Sequence, residues 1–157
     1  ATVHIEGTEL SEGRGTTKPF ELNGAPYIDP WAWVAALEKY NFPGVTFRQT
    51  FFQPTFQKHA QVTCGGLQLH VTDRQAFTSV TVGVAMIKTA YDLYKDHFEW
   101  KRDAYEYVFD KNPFDVVCGT DKIRTAIEAG VSLKEIEDSW VGGLKAYSSL
   151  RESYLLY

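Results

Sequence analysis

The run Glu6-Gly7-Thr8-Glu9-Leu10-Ser11-Glu12-Gly13-Arg14-Gly15-Thr16-Thr17-Lys18-Pro19-Phe20 constrains this chain most. It carries three glycines, three carboxylates and two cations among short hydroxyl side chains, with almost nothing apolar to bury. Glycine permits positive φ and close approach of backbone to a ligand. Inside a soluble domain such a stretch reads as a binding loop rather than as packing material.

The bulk numbers frame that reading. A length of 157 residues fits one domain, and at that size roughly two-thirds of the unfolded surface is buried. A hydrophobic fraction of 44% and a charged fraction of 23% describe an ordinary soluble globule. The net charge of −4 and the absence of long like-charge runs argue against nucleic acid and against an anionic membrane surface as partners. No apolar run approaches the ~18 residues of a membrane helix. The chain begins at Ala1 with no Met and no signal peptide, so it is expected to be a processed or excised piece, and the missing leader says little about compartment. Cys64 and Cys118 form no dense framework, and free buried thiols are the expectation. Aromatic residues make up 15% of the chain; most should build the core, and a minority could serve as platforms for sugar rings.

Local signals place the elements. Asp29-Pro30 is an N-cap with proline at the first helical position, opening a helix to about Tyr40 that Asn41-Phe42-Pro43-Gly44 ends. Val45 to Phe52 alternates as a strand. Gln53 to Gly66 reads as a polar loop, followed by a second strand in which Leu67, Leu69 and Val71 alternate with Gln68, His70 and Thr72. A long helix is predicted from about Val80 to Asp96, with Val80, Val84, Ile87, Tyr91 and Tyr94 along one side. Helix resumes near Pro113, breaks at Cys118-Gly119-Thr120, runs from Asp121 to Ala129, and closes at Gly130. Ser132-Leu133-Lys134-Glu135 is a capping box for a last helix to about Glu152, in which Gly142-Gly143 weakens the helix or admits another backbone. The order is loop and strand, helix, strand, strand, then helices. It predicts a single α+β domain with a small mixed β-sheet covered by several α-helices.

The motifs exclude more than they select. Gly13-Arg14-Gly15-Thr16-Thr17-Lys18 lacks the Gly-Lys-Ser/Thr ending of a phosphate loop, and Pro19 blocks the strand-to-helix context. Its backbone N–H groups, hydroxyls and Arg14 suit oxygen-rich ligands such as sugars or carboxylates. Glu6, Glu9 and Glu12 could supply an acid/base pair, although three glutamates in a short loop are more often solvated charges. His59, Cys64 and His70 match no zinc spacing, so no metal site is expected. His70, on the polar face of its strand, is placed for hydrogen bonding or ligand contact. The loop carrying Pro54-Thr55-Phe56-Gln57-Lys58 is longer than a plain connection needs.

Several segments together resemble one family. They are Glu6-Gly7-Thr8, Ser11 to Thr16, Pro19-Phe20, Gly24-Ala25-Pro26, Pro54-Thr55-Phe56 with Lys58, Cys64-Gly65-Gly66 and His70-Val71-Thr72-Asp73. Gly119-Thr120-Asp121, Ala126 to Gly130, Trp140 and Tyr154-Leu155-Leu156-Tyr157 complete the pattern. The combination is similar to the C-terminal domain of the exo-β-N-acetylmuramidases, bacterial peptidoglycan glycosidases. The resemblance implies an N-terminal Rossmann-like domain absent here, with the active site in the cleft between the two domains and the catalytic carboxylate on the absent side. It implies release of N-acetylmuramic acid from non-reducing ends, no cofactor, and a bacterial periplasmic or secreted setting. On this chain it implies that Glu6, Ser11, Glu12, Gly13, Arg14, Gly15 and Thr16 line the cleft. Arg14 is then the candidate for the lactyl carboxylate of muramic acid, and Thr55, Lys58 and His70 are candidates for sugar hydroxyls. Such a chain would be one part of an enzyme, inactive alone. An independent carbohydrate- or peptidoglycan-binding module and a structural interaction domain remain open beside it.

Overall fold

The computed structural model describes residues 2–156; Ala1 and Tyr157, the last residue of the terminal motif, lie outside the described residues. A 3-10 turn, Thr2–Gly7, precedes β1 (Leu22–Ala25), α1 (Pro30–Glu38), β2 (Val45–Phe52), β3 (Cys64–Val71), α2 (Ser79–Leu93), α3 (Pro113–Cys118), α4 (Lys122–Glu128) and α5 (Leu133–Glu152). The architecture is the single α+β domain that the element order predicts. Its sheet, ordered β1-β3-β2, is antiparallel throughout rather than mixed. The loop between β2 and β3 contains no helix, whereas a parallel pair requires a crossover of a dozen or more residues, usually helical.

The helix signals act as their chemistry demands. Asp29 accepts from the N–H groups of Trp31 and Ala32 at 2.9 and 3.4 Å, opening α1. The Tyr94 hydroxyl brackets the same cap, accepting the Asp29 N–H at 2.9 Å and donating to its carbonyl at 3.2 Å. Asn112 caps α3 in the same way, and Ser132 with Glu135 forms a reciprocal capping box on α5.

Three features depart from the linear reading. The strand β3 starts at Cys64, inside the stretch that composition marks as loop. Gly65 explains it: a Cβ there would collide with the Ile28 carbonyl oxygen, so glycine lets the approach to α1 lie directly on the strand. The helix α2 has no wet face over most of its length, since Thr81 to Ala90 are all buried. It is the axis of the core, touching α1, α4, α5 and the 3-10 turn. The pair Gly142-Gly143 meets no other chain segment among the described residues.

Trp33 locks α1 to this axis. Its ring is fully buried, and its indole N–H donates to the Met86 carbonyl at 3.1 Å and to the Thr89 hydroxyl at 3.0 Å. Trp33→Phe keeps most of the apolar volume but removes the donor. We expect a loss of about 1–3 kcal/mol, seen as a midpoint fall of ~2–4 °C per kcal/mol for a domain of this size. An unchanged melting curve would show that the indole bond contributes nothing.

Both cysteines are free. Burial pushes the Cys64 thiol up to about 11, and burial with the nearby Asp115 carboxylate pushes Cys118 up to about 12. The thiolate is the reactive form. At pH 8 the folded chain should therefore react with iodoacetamide far more slowly than a small thiol does, and two thiols should appear on denaturation. Fast labelling of the native chain would contradict this.

Candidate functional site

The glycine-rich segment is a buried wall rather than a loose loop. Ile5 and Leu10 are fully buried anchors, and Thr8, Ser11 and Glu12 are buried beside them. So many polar groups can be buried because each is paired close by. The Thr8 hydroxyl donates to the Ile5 carbonyl at 2.8 Å and accepts the Leu10 N–H at 3.1 Å. The Ser11 backbone pairs in both directions with Gly24, at 2.8 and 3.1 Å, which fastens the segment to β1. Its hydroxyl oxygen accepts the Gly13 N–H at 3.1 Å. Thr16 turns back on the Gly13 carbonyl with its hydroxyl at 2.6 Å.

Two loops distant in sequence meet this wall. Gly15 has φ +81°, and a Cβ on it would strike the backbone of Thr55 and Phe56. Its carbonyl accepts both the N–H and the hydroxyl of Thr55 at 2.9 Å. Lys58 reaches further in. Its ammonium donates to the carbonyls of Ile5 and Leu10 at 3.2 and 3.1 Å and to Glu12 Oε2 at 3.0 Å. Those three acceptors match the three protons of an ammonium. Burial lowers the Lys58 pKa from its ordinary value, with the Glu12 carboxylate opposing the shift. His59 adds a tie of 2.7 Å between its Nε2 and the Glu9 carbonyl oxygen. Gln57, His59 and Gln61 all take positive φ, so this loop is shaped by its attachments rather than by local preference.

Above these contacts lies an open concavity of about 300 Å³, lined by Glu6, Glu12, Arg14, Gln57, Lys58, Lys101, Ala104, Tyr105 and Glu106. Glu6 receives the Arg14 guanidinium on Oε1 and the Tyr105 hydroxyl on Oε2, the latter at 3.0 Å. Arg14 also pairs through Nε with Glu12 at 3.0 Å, and its guanidinium lies 4.9 Å from the centre of the Phe20 ring. The hydrogen bond to Glu6 is the main reason its pKa is raised. Arg14 is therefore not a free fork. Its Nη1 has no acceptor among the described residues, and its side chain is 43% exposed, so that end of the guanidinium can still meet a ligand oxygen. The lining holds three carboxylates against three cations, so it offers paired hydrogen-bonding groups rather than a strong field.

Placement divides the candidates read from sequence. Glu6, Glu12, Arg14 and Lys58 line the concavity, but Glu12 and Lys58 spend their polar atoms on holding the wall. Ser11, Gly13, Gly15, Thr16 and Thr55 shape the wall through the bonds given above. His70 is not among the lining residues; it is exposed near the end of β3, paired in register with Thr46. Alternation does not set the wet face of β3 either: Gln68 is buried, held by Arg48 and Glu21, while Val71 is exposed. Sequence reasoning missed Tyr105, Gln57, Lys101 and Glu106. Tyr105 lies 99 positions from Glu6 in a segment without helix or strand, where no periodicity could flag it.

Among the described residues no group of three or more His, Cys, Asp or Glu side chains is placed to hold a metal ion. None of the helices is long and apolar enough to cross a membrane. A larger groove of about 680 Å³ lies between α3 and α4. Its Arg124 forms a two-point pair with Asp115 at 2.8 and 2.9 Å, and Asp110, Lys111 and Asp121 line it as well.

Comparison with known proteins settles the family. The model described as "Exo-beta-N-acetylmuramidase NamZ, C-terminal" matches residues 1–157. The chain belongs to this family. It is 46% identical over 157 residues to the peptidoglycan beta-N-acetylmuramidase NamZ of Bacillus subtilis (strain 168), a match covering all of this chain and 36% of that protein. The chain thus spans about a third of the length of that curated relative. Two crystal structures of DUF1343 family proteins from Bacteroides fragilis NCTC 9343 share the fold at 22% identity. One has a TM-score of 0.83, covering 99% of this chain and 40% of that one. The other has a TM-score of 0.59 with 100% and 39% covered.

The Glu12–Lys58 pair is the contact to test. Lys58→Met leaves the Glu12 carboxylate buried with Arg14 as its one remaining cation and should cost about 3–5 kcal/mol. The double variant Glu12→Gln/Lys58→Met should lose less than the sum of the single changes. Additive losses in a denaturant double-mutant cycle would show that the pair is not coupled.

Proposed function

We propose that this chain is the C-terminal, cleft-lining part of a peptidoglycan-degrading exo-β-N-acetylmuramidase, and that it is inactive alone. The match across its whole length to a relative of that activity carries the reading. The concavity fits it chemically. Glu6, Tyr105 and the open end of Arg14 provide fixed acceptors and donors for sugar hydroxyls and for a carboxylate. Glycoside hydrolysis needs carboxyl groups held across the scissile bond. The family resemblance assigns the catalytic carboxylate to the remaining part of the longer protein, a Rossmann-like N-terminal domain, and Glu6 and Glu12, both engaged by cations of their own wall, serve as binding and supporting groups. The substrates are muramic acid-containing cell-wall fragments, and the setting is bacterial, periplasmic or secreted.

A second reading, an independent carbohydrate-binding module, draws on Trp31 and Phe51. Their rings are 60% and 57% exposed with centroids 5.8 Å apart, a surface on which a sugar ring could stack. Calorimetry of the isolated chain with muramyl sugars separates the two. Saturable binding favours the module, and flat heats at millimolar ligand favour the cleft.

Arg14 supplies the direct test. In a full-length protein carrying this chain, Arg14→Ala should raise KM for a chromogenic muramic acid glycoside about tenfold, the equivalent of ~1.4 kcal/mol. Lys134→Ala, which breaks an exposed pair with Asp138, should change nothing. Equal kinetics for the two variants would remove Arg14 from substrate handling, and a full-length protein that never cleaves the glycoside would end the proposal.

A further inference from the structure

The helix α5 is buried at one end only. Leu133 and Ile136 are 5% and 2% exposed, and Trp140 packs partly against the same core. The intervals of three and four that join these residues continue to Leu144, Tyr147 and Leu150, on or beside the same helical stripe. There the core has ended, and those side chains are 57%, 62% and 59% exposed. The distal half of the helix thus extends a core-forming face past the edge of the domain. Ser149 and Lys145 stand on the opposite side, so the distal half is amphipathic rather than apolar all round.

We propose that this distal face of α5 is the seat of the additional polypeptide that longer members of the family carry, packed apolar face to apolar face within one chain. The inference rests on the two-part reading above. Two observations choose this occupant. First, the fold including α5 is retained in a relative of which this chain covers only 40%, so most of that protein lies outside the domain described here. Second, the face is small. Three turns of helix extend ~16 Å at a width of ~10 Å, well below the ~800 Å² that each partner of a stable dimer contributes. A tethered domain tolerates a smaller contact, because its effective concentration is millimolar.

Cysteine labelling tests the assignment on proteins as they exist. Leu144→Cys and Tyr147→Cys in this chain would be compared with cysteines at the aligned positions of the full-length Bacillus subtilis relative. Ser149→Cys serves as the outward-facing control. In this chain burial raises both native thiols and keeps their background low, and the long protein without an added cysteine supplies its own background rate. We expect maleimide to label positions 144 and 147 at least tenfold more slowly in the long protein, with position 149 equal in both. Equal rates at 144 and 147 would overturn the proposal. So would a dimer of the isolated chain in sedimentation that Leu144→Asp dissolves, because a second copy would then be the occupant. The readout is packing, not hydrolysis, so it can fail while the role of Arg14 stands, and the reverse.

Discussion

The half-buried ammonium of Lys58 is the constraint on which the site depends. It enters from the loop after β2 and gathers two main-chain carbonyls and one carboxylate, all from the N-terminal segment. That segment contributes few apolar anchors of its own, chiefly Ile5 and Leu10. Its position must therefore come from polar pairing. Each bond contributes modestly while made and would be expensive to leave open in a buried place. The wall is consequently held in one arrangement rather than in several.

Rigidity there is passed outward to the groups that face solvent. Glu12 is shared between Lys58 below and Arg14 above, so a group in the core of the wall orients one at its surface. Arg14 orients Glu6, and Glu6 is met from the far side by Tyr105. The result is a relay of charge-assisted contacts from a half-buried cation to the open end of the concavity. Pre-set donors and acceptors of this kind reduce the ordering cost when a polar ligand binds. The sheet beneath is kept compact by Gly65, which lets the chain approaching α1 cross β3 at backbone distance.

The two ends of the domain contrast. From Thr81 to Ala90 every face of α2 is covered, and Trp33 spans the contact with both its ring and its N–H. Along distal α5 the helical face continues with no core beneath it among the described residues. A core that stops while its amphipathic pattern continues fits a domain built to be one layer of something larger. The curated relative is longer, this chain covering 36% of it.

Much of the fold was legible locally. The caps at Asp29 and Ser132, the glycine stops at Gly119 and Gly130, and the period-two pattern of β2 depend on neighbours within a few residues, and all took the form their chemistry demands. The repeated glycines also marked the wall, because close backbone approach leaves its trace in composition. The sequence by itself thus determined most of the helices and strands and their order. Only the tertiary structure decided that Lys58 supports the wall, that His70 lies apart, and that Tyr105 completes the concavity. Those outcomes depend on contacts between residues tens of positions apart, and no local periodicity or propensity records which distant partner a side chain will meet.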